Sequence, residues 1–388
     1  MICFGDGYEL TNSDTHMQIL NRDQLIDILY GCAILGTGGG GELSEGIAYI
    51  DEALAQGKSF KLISADEVPA GELVCTPYML GAISALSEQE ERAYANLPRS
   101  TKHAILAAYQ RTLEYTGNDA IYGTICCELG GSNTAVSFYL AAMFDGYIID
   151  ADPAGRAVPE ITHSTYYLNN LPAAPIITAN EFGECFICEN VMDDLRAETV
   201  VRALAKISRN DIAAIDHILP IEQMKNAVIH GTISKALKLG KAMREASEQH
   251  ANTAHIIAKH GGGFVAFEGE VSTFEFNTVE GFTLGEVTLK GLSEFVNNSY
   301  KITVKNENMA AFLNDEVHVT IPDLICCINS QTGTPITNPN YEVGMKVAVV
   351  ILPAPKEFTG PKGLEIFGSA LRSTLTPHIK QRLQINYC

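Results

Sequence analysis

The sequence predicts an α/β protein in two parts: a first half built on a mostly parallel sheet and a strand-rich second half. Three observations carry that reading. A strand–helix–strand unit spans residues 120–150, glycine runs punctuate helical segments, and short alternating segments fill the chain from about residue 262 to 353. The change of character near residue 195 divides the chain into 21–194 and 195–388. A length of 388 residues, at roughly 150 per domain, agrees with two domains.

Helical periodicity begins at Asn21, with Leu25, Ile28, Leu29 and Cys32 on one face and Asn21 or Asp23 as N-cap. Gly36-Thr37-Gly38-Gly39-Gly40-Gly41 ends it. A second helix over about 44–56 stops at Gly57, and Phe60–Ile63 and Glu72–Thr76 read as strands. Residues 88–114 are mostly helical, with a break at Pro98. Ala120–Cys127 then reads as a buried strand, Glu128–Asn133 as a turn, Thr134–Phe144 as a helix and Tyr147–Asp150 as a second buried strand. Two strands joined by a helix should lie parallel with a right-handed crossover. Ala174–Thr178 adds a further strand. Helices follow at Leu195–Lys206 and within Gln223–Ala258, and Gly261-Gly262-Gly263 opens the alternating zone. Asn306-Glu307-Asn308 is one of its turns. Many short strands at close spacing suggest a small barrel or sandwich.

Composition narrows the function. Against 46 Asp and Glu stand 27 Lys and Arg, a net charge of −19 that argues against a nucleic-acid partner. Apolar stretches such as Ala135–Phe144 are far short of the about 20 residues of a membrane span, and the acidic N-terminus lacks a signal peptide's basic start. A cytoplasmic protein, working as a homo-oligomer, is expected. Ten cysteines are sparse for a disulfide scaffold. In the adjacent pairs Cys126-Cys127 and Cys326-Cys327, strand alternation should send the thiols to opposite faces. Cys185-x-x-Cys188 lacks the second pair or the histidines that zinc needs.

Two loops concentrate the chemistry. Glu128-Leu129-Gly130-Gly131-Ser132-Asn133 follows the first crossover strand, and Asp150 to Glu160, with Asp152 and Arg156 between, follows the second. Parallel strands send both loops to one carboxyl edge, where open α/β sheets place ligands. Glu128, Asn133, Asp150, Asp152, Arg156 and Glu160 could therefore meet in a cleft, with His163 three residues further on. Clustered carboxylates suit general-base work or a divalent cation, and Arg156 could neutralise them. The plain alternative is that the aspartates cap turns and Arg156 pairs with Glu160. Gly36-x-Gly38-x-x-Gly41 also fits a dinucleotide fingerprint, but a helix rather than a strand precedes it. That loop still exposes N–H groups able to face a substrate.

These marks resemble the S-methyl-thiohydantoin desulfurase-like family, whose members are often associated with hydantoinase/oxoprolinase proteins. The residues that carry the likeness are the helix ending in Gly36–Gly41, Glu128-x-Gly130-Gly131-x-Asn133, and Asp150-x-Asp152-x-x-Gly155-Arg156-Ala157-x-Pro159-Glu160. Asn306-Glu307-Asn308, Pro322–Ile325, Thr332–Thr337 and Tyr341–Gly344 add to it, so it spans about 22 to 370. It implies a three-layer α/β/α N-terminal domain and a C-terminal domain containing a small β-barrel. The implied activity is hydrolytic removal of a methylthio group from a cyclic thiohydantoin. For such a hydrolase, Asp152 or Glu128 would be base, and Arg156 with the loop N–H groups of Gly38, Gly39, Gly40 and Gly41 would polarise the substrate. Asn133 would orient it, and Gly130, Gly131, Asp150, Glu160 and His163 would line the pocket. Asp150, Asp152 and Glu160 would be the ligands of a divalent metal, if one is bound. A non-catalytic partner subunit of a hydantoinase/oxoprolinase, or a nucleotide-binding oxidoreductase, are the alternatives.

Overall fold

The computed structural model describes residues 17–81, 86, 88–279 and 281–374. Its first sheet has eight strands in the order Gln18–Leu20, Phe60–Ile63, Tyr147–Ile149, Gly123–Thr124, Leu73–Gly81, Asp211–Pro220, Ile176–Ala179 and Cys185–Cys188. The four strands from Phe60–Ile63 to Leu73–Gly81 run parallel, and the crossover strands are direct neighbours, Thr124 opposite Ile148. The remaining pairings are antiparallel, so the sheet is mixed rather than mostly parallel. The reason is local. Ile176–Ala179 and Cys185–Cys188 are joined by too few residues for a crossover and form a hairpin. Asp211–Pro220 then inserts between that hairpin and Leu73–Gly81. This strand follows residue 195 yet belongs to the first sheet.

Helices cover both faces. Arg22–Leu35 starts with a capping box, in which Asn21 Oδ1 accepts from Gln24 N and the Gln24 side chain accepts from Asn21 N. Leu25, Ile28, Leu29 and Cys32 are fully buried, as the periodicity requires. So is nearly all of the helix's second half, with Tyr30 half-buried, and Thr232–Glu248 packs along it at backbone distance. A Cβ on Gly31 would lie 2.0 Å from Ala236 O, and one on Gly240 only 1.7 Å from Asp27 O. The Arg244 fork closes the same interface on buried Asp27, at 2.9 and 3.0 Å.

The second sheet has seven strands, all antiparallel: Glu316–Thr320, Glu307–Leu313, Ser299–Lys305, Phe282–Gly291, Phe264–Val279, Lys346–Leu352 and Leu324–Asn329. Register shifts in four of the pairings bend the strands. The sheet curls into a half-barrel whose two edge strands do not pair. One face forms its own core around Phe267, Tyr300 and Val349, while Cys326 and Val350 join the core shared with the helices Arg22–Leu35 and Thr253–Gly261. Cys326 and Cys327 thus point to opposite sides, as do Cys126 and Cys127. Among the described residues no helix is long and apolar enough to cross a membrane.

Gly240→Ala should force the two helices apart. The overpacking should lower unfolding free energy by about 1–3 kcal/mol, read by chemical denaturation. A variant as stable as the parent would show that the contact yields.

Candidate active site

The crossover places the two acidic loops side by side, and they bond directly: Leu129 N donates to Arg156 O at 3.1 Å. Glu128 is tied into both. Its Oε1 accepts from Asn133 Nδ2 at 2.7 Å, and its Oε2 from Val158 N at 2.8 Å. Asn133 opens the helix Asn133–Met143 and also clasps the main chain of Met79, accepting from its N at 2.9 Å. The glycine run lies against this pair of loops. Gly40 O accepts from both Ser132 N and Asn133 N at 3.0 Å. Gly40 has φ of 75°, and a Cβ there would fall 2.4 Å from Gly130 Cα, so only glycine fits.

These loops, the strand Leu73–Gly81 and the start of Glu307–Leu313 line a cavity of about 640 Å³ that opens to solvent. Glu128, Asn133, Glu160, Gly40 and Gly41 line it. Glu307 joins them from the half-barrel, only 2 % exposed, with its Oε2 unpartnered. Gly39 sits behind it: a Cβ on Gly39 would lie 2.0 Å from Glu307 Oε1. Burial pushes the Glu128 carboxyl up to about 6, against the pull of Asn133, the Val158 N–H and Arg156. Burial and the neighbouring Glu128 push Glu307 well above the ordinary carboxyl range. Glu160 pairs with Lys305; burial opposes its ionisation, but Lys305 and its neighbours hold it below its ordinary value.

The other predicted residues are elsewhere. Asp150 caps the helix Thr232–Glu248, accepting from Ile233 N at 2.9 Å and Ser234 N at 3.0 Å. Asp152 Oδ2 accepts from Ala154 N and Gly155 N, and its carboxyl is fully buried behind the cavity wall. Burial raises it to about 7. With Glu160 held by Lys305, these three carboxylates do not form a chelating set, and among the described residues no group of three or more His, Cys, Asp or Glu is placed to hold a metal. The residues present do not fit the cation that the loop composition suggested.

Arg156 does not reach the cavity and does not pair with Glu160. It is fully buried and donates Nη1 to Pro322 O at 2.8 Å, Nη2 to Thr37 Oγ1 at 3.1 Å and Nε to Ala157 O at 2.9 Å. It thereby bolts the loop to the glycine run and to the half-barrel. Burial lowers it only to about 10, so it stays charged behind Glu128 and Glu307. His163 is buried with both ring nitrogens unpartnered, edge-on to Phe367, and burial pushes it down to about 4, leaving it neutral. Gly38 abuts Asn338 and Gly131 abuts Leu43, as packing contacts.

Sequence reasoning missed two features. Glu307 lay in a segment read as a turn and quoted only among the marks of the family likeness; nothing in its local pattern placed it in the site. The second is a chain of hydrogen bonds on the cavity wall. Tyr78 OH donates to Asp216 Oδ2 at 2.9 Å, and His217 Nδ1 lies 2.7 Å from Asp216 Oδ1. His217 has φ of 43°, at a bulge where the register with Leu73–Gly81 shifts. An Asp-His dipeptide inside an apolar run was the available signal.

Residues 23–190 match the S-Me-THD-like N-terminal domain and residues 192–371 the S-Me-THD-like C-terminal domain. The chain belongs to the S-methyl-thiohydantoin desulfurase-like family. Among curated proteins none matches it. A crystal structure of a protein from Chromobacterium violaceum shares the fold, with TM-score 0.72 and 22 % identity over 92 % of this chain and 97 % of that one.

Two outcomes follow for this member of the family. Arg156→Lys, which cannot make the fork, should cost about 2–3 kcal/mol of unfolding free energy; a cost within error of zero would dismiss the bolt. Asp152 ionises at about 7 folded against an ordinary 3.8. The folded state therefore binds the extra proton between those values, and stability falls as pH rises through that window. Asp152→Asn should flatten this fall in denaturation curves taken from acid to neutral pH; parallel curves for the two proteins would refute it.

Proposed function

We propose that this protein is a hydrolase acting on a five-membered cyclic amide or S-alkylated thioamide ring, removing the methylthio group of an S-methyl-thiohydantoin to leave a hydantoin. Family membership supplies the substrate class, and one observation supports the chemistry: a buried carboxylate, Glu128, on the wall of an open cleft. Its value of about 6 keeps it ionised at neutral pH while making it a better proton acceptor than a solvated glutamate. A cavity of about 640 Å³ suits a small ring compound.

Glu128 is the base that takes a proton from water as the oxygen adds to the ring carbon bearing sulfur. Asn133 is its positioning residue, since its amide is committed to Glu128 and to Met79. Asp152, outside the lining, is not the base. The Arg156 charge, held at a distance, steadies the negative charge that the carboxylates carry.

Purified protein should release methanethiol from an S-methyl-thiohydantoin, detectable with a thiol reagent; no release from any ring of this class would overturn the reading. Glu128→Gln should lower kcat by about 10²–10⁴-fold. In the parent, kcat/KM should fall as pH drops through about 6, because protonation removes the base.

A further inference from the structure

One group on the cavity wall has no role in the chemistry so far. Glu307 is nearly fully buried, its Oε1 rests where a side chain on residue 39 would be, and its Oε2 has no partner. Leaving a buried carboxyl oxygen unpaired is costly, and on a cavity wall it leaves that oxygen free for a ligand. The position is built for it. Gly39 carries no Cβ, and Arg156 lies behind the same loop, bonded to Thr37. The charged groups facing Glu307 are Glu128 from the crossover loop, Arg156 from the following loop and Arg202 from the helix Asp194–Lys206. Arg202 is itself engaged, donating to Pro159 O and Gly281 O at 2.8 Å. The Lys305–Glu160 pair closes the adjacent wall. No cation bonds to the Glu307 carboxyl among the described residues.

A second carboxyl beside an ionised one holds a proton where the first cannot. We propose that Glu307 is the general acid of this site, protonating the ring nitrogen while Glu128 takes the proton of the attacking water, so that the reacting centre is completed by the second half of the chain. This rests on the hydrolase reading above. In the addition step the water O–C bond forms, the water proton goes to Glu128, and the ring C=N electron pair takes the Glu307 proton. On collapse the carbonyl forms, the hydroxyl proton returns to Glu307, and the C–S bond breaks. The departing thiolate takes the proton from Glu128. Water and the S-methyl ring become the hydantoin and methanethiol, with both glutamates restored.

Glu307→Gln keeps the shape and removes the transferable proton. With an S-methyl-thiohydantoin as probe, it should lower kcat by about 10²-fold or more with little change in KM. It should also remove the alkaline limb of the kcat profile. A ring already alkylated at that nitrogen, and so permanently cationic, needs no acid: parent and variant should turn it over alike. A deficit that persists with the cationic ring, or an alkaline limb that survives, would overturn the assignment. A second measurement needs no turnover. Infrared difference spectra, parent minus Glu307→Gln, taken at neutral pH should show a protonated-carboxyl band of Glu307 over and above that of Asp152, which cancels in the subtraction. If the parent releases no methanethiol but shows that band, the hydrolase reading fails and the proton on Glu307 stands. If the subtraction leaves no such band, Glu307 is not the acid.

Discussion

Two stretches of bare backbone pressed together set the geometry of this molecule. Gly40 meets Gly130 so closely that neither position accepts a Cβ, and Gly39 leaves its side-chain space to Glu307. Because the approach is backbone to backbone, hydrogen bonds can close it: Ser132 N and Asn133 N both reach Gly40 O. Those bonds fix the start of the helix Asn133–Met143, hence Asn133, and hence the orientation of Glu128. The same run gives Asn308 N the carbonyl of Thr37 and Asn338 N the carbonyl of Gly38, so the half-barrel is docked on the loop that orders the first domain's carboxylate.

That arrangement places acid beside acid. The chain is strongly anionic, and its cavity wall carries far more carboxyls than cations. Such a site is stable only if some carboxyls stay protonated or find charge at a distance. Both occur. Burial drives Glu128 and Glu307 upward, while Arg156 and Arg202 spend their hydrogen bonds on neutral carbonyls and a hydroxyl or on the remote Glu198. The Arg156 charge is thus left to act through space on the glutamates, while that of Arg202 is shared with its ion-pair partner Glu198. Arg156 therefore serves architecture and electrostatics together without touching the cavity.

The strand Asp211–Pro220 shows where local patterning stops being informative. Its buried residues pair small with large, Ala213 and Ala214 between Ile212 and Ile215, and Asp216 and His217 interrupt the apolar run. Leu73–Gly81 and Ile176–Ala179 flank it on both sides while core clusters cover both its faces. Only in that setting do Asp216 and His217 become a bonded pair against Tyr78, and the bulge that turns His217 inward is a property of the pairing.

The sequence by itself determined the elements whose cause is local. The Asn21 cap, the buried face of the first helix and the crossover with its two loops on one edge follow from periodicity and turn chemistry. So do the opposite facing of the paired cysteines and the many short strands of the second half. It also singled out Glu128 and Asn133, because they stand at a strand's carboxyl end. The tertiary structure alone decided which of the clustered acids face the cavity. Asp150 turns to a helix more than eighty residues away in sequence, Asp152 folds back on its own loop, and Glu307 arrives from another sheet. A carboxylate goes to whichever N–H groups or cations the packing brings within reach, and those partners are distant in sequence.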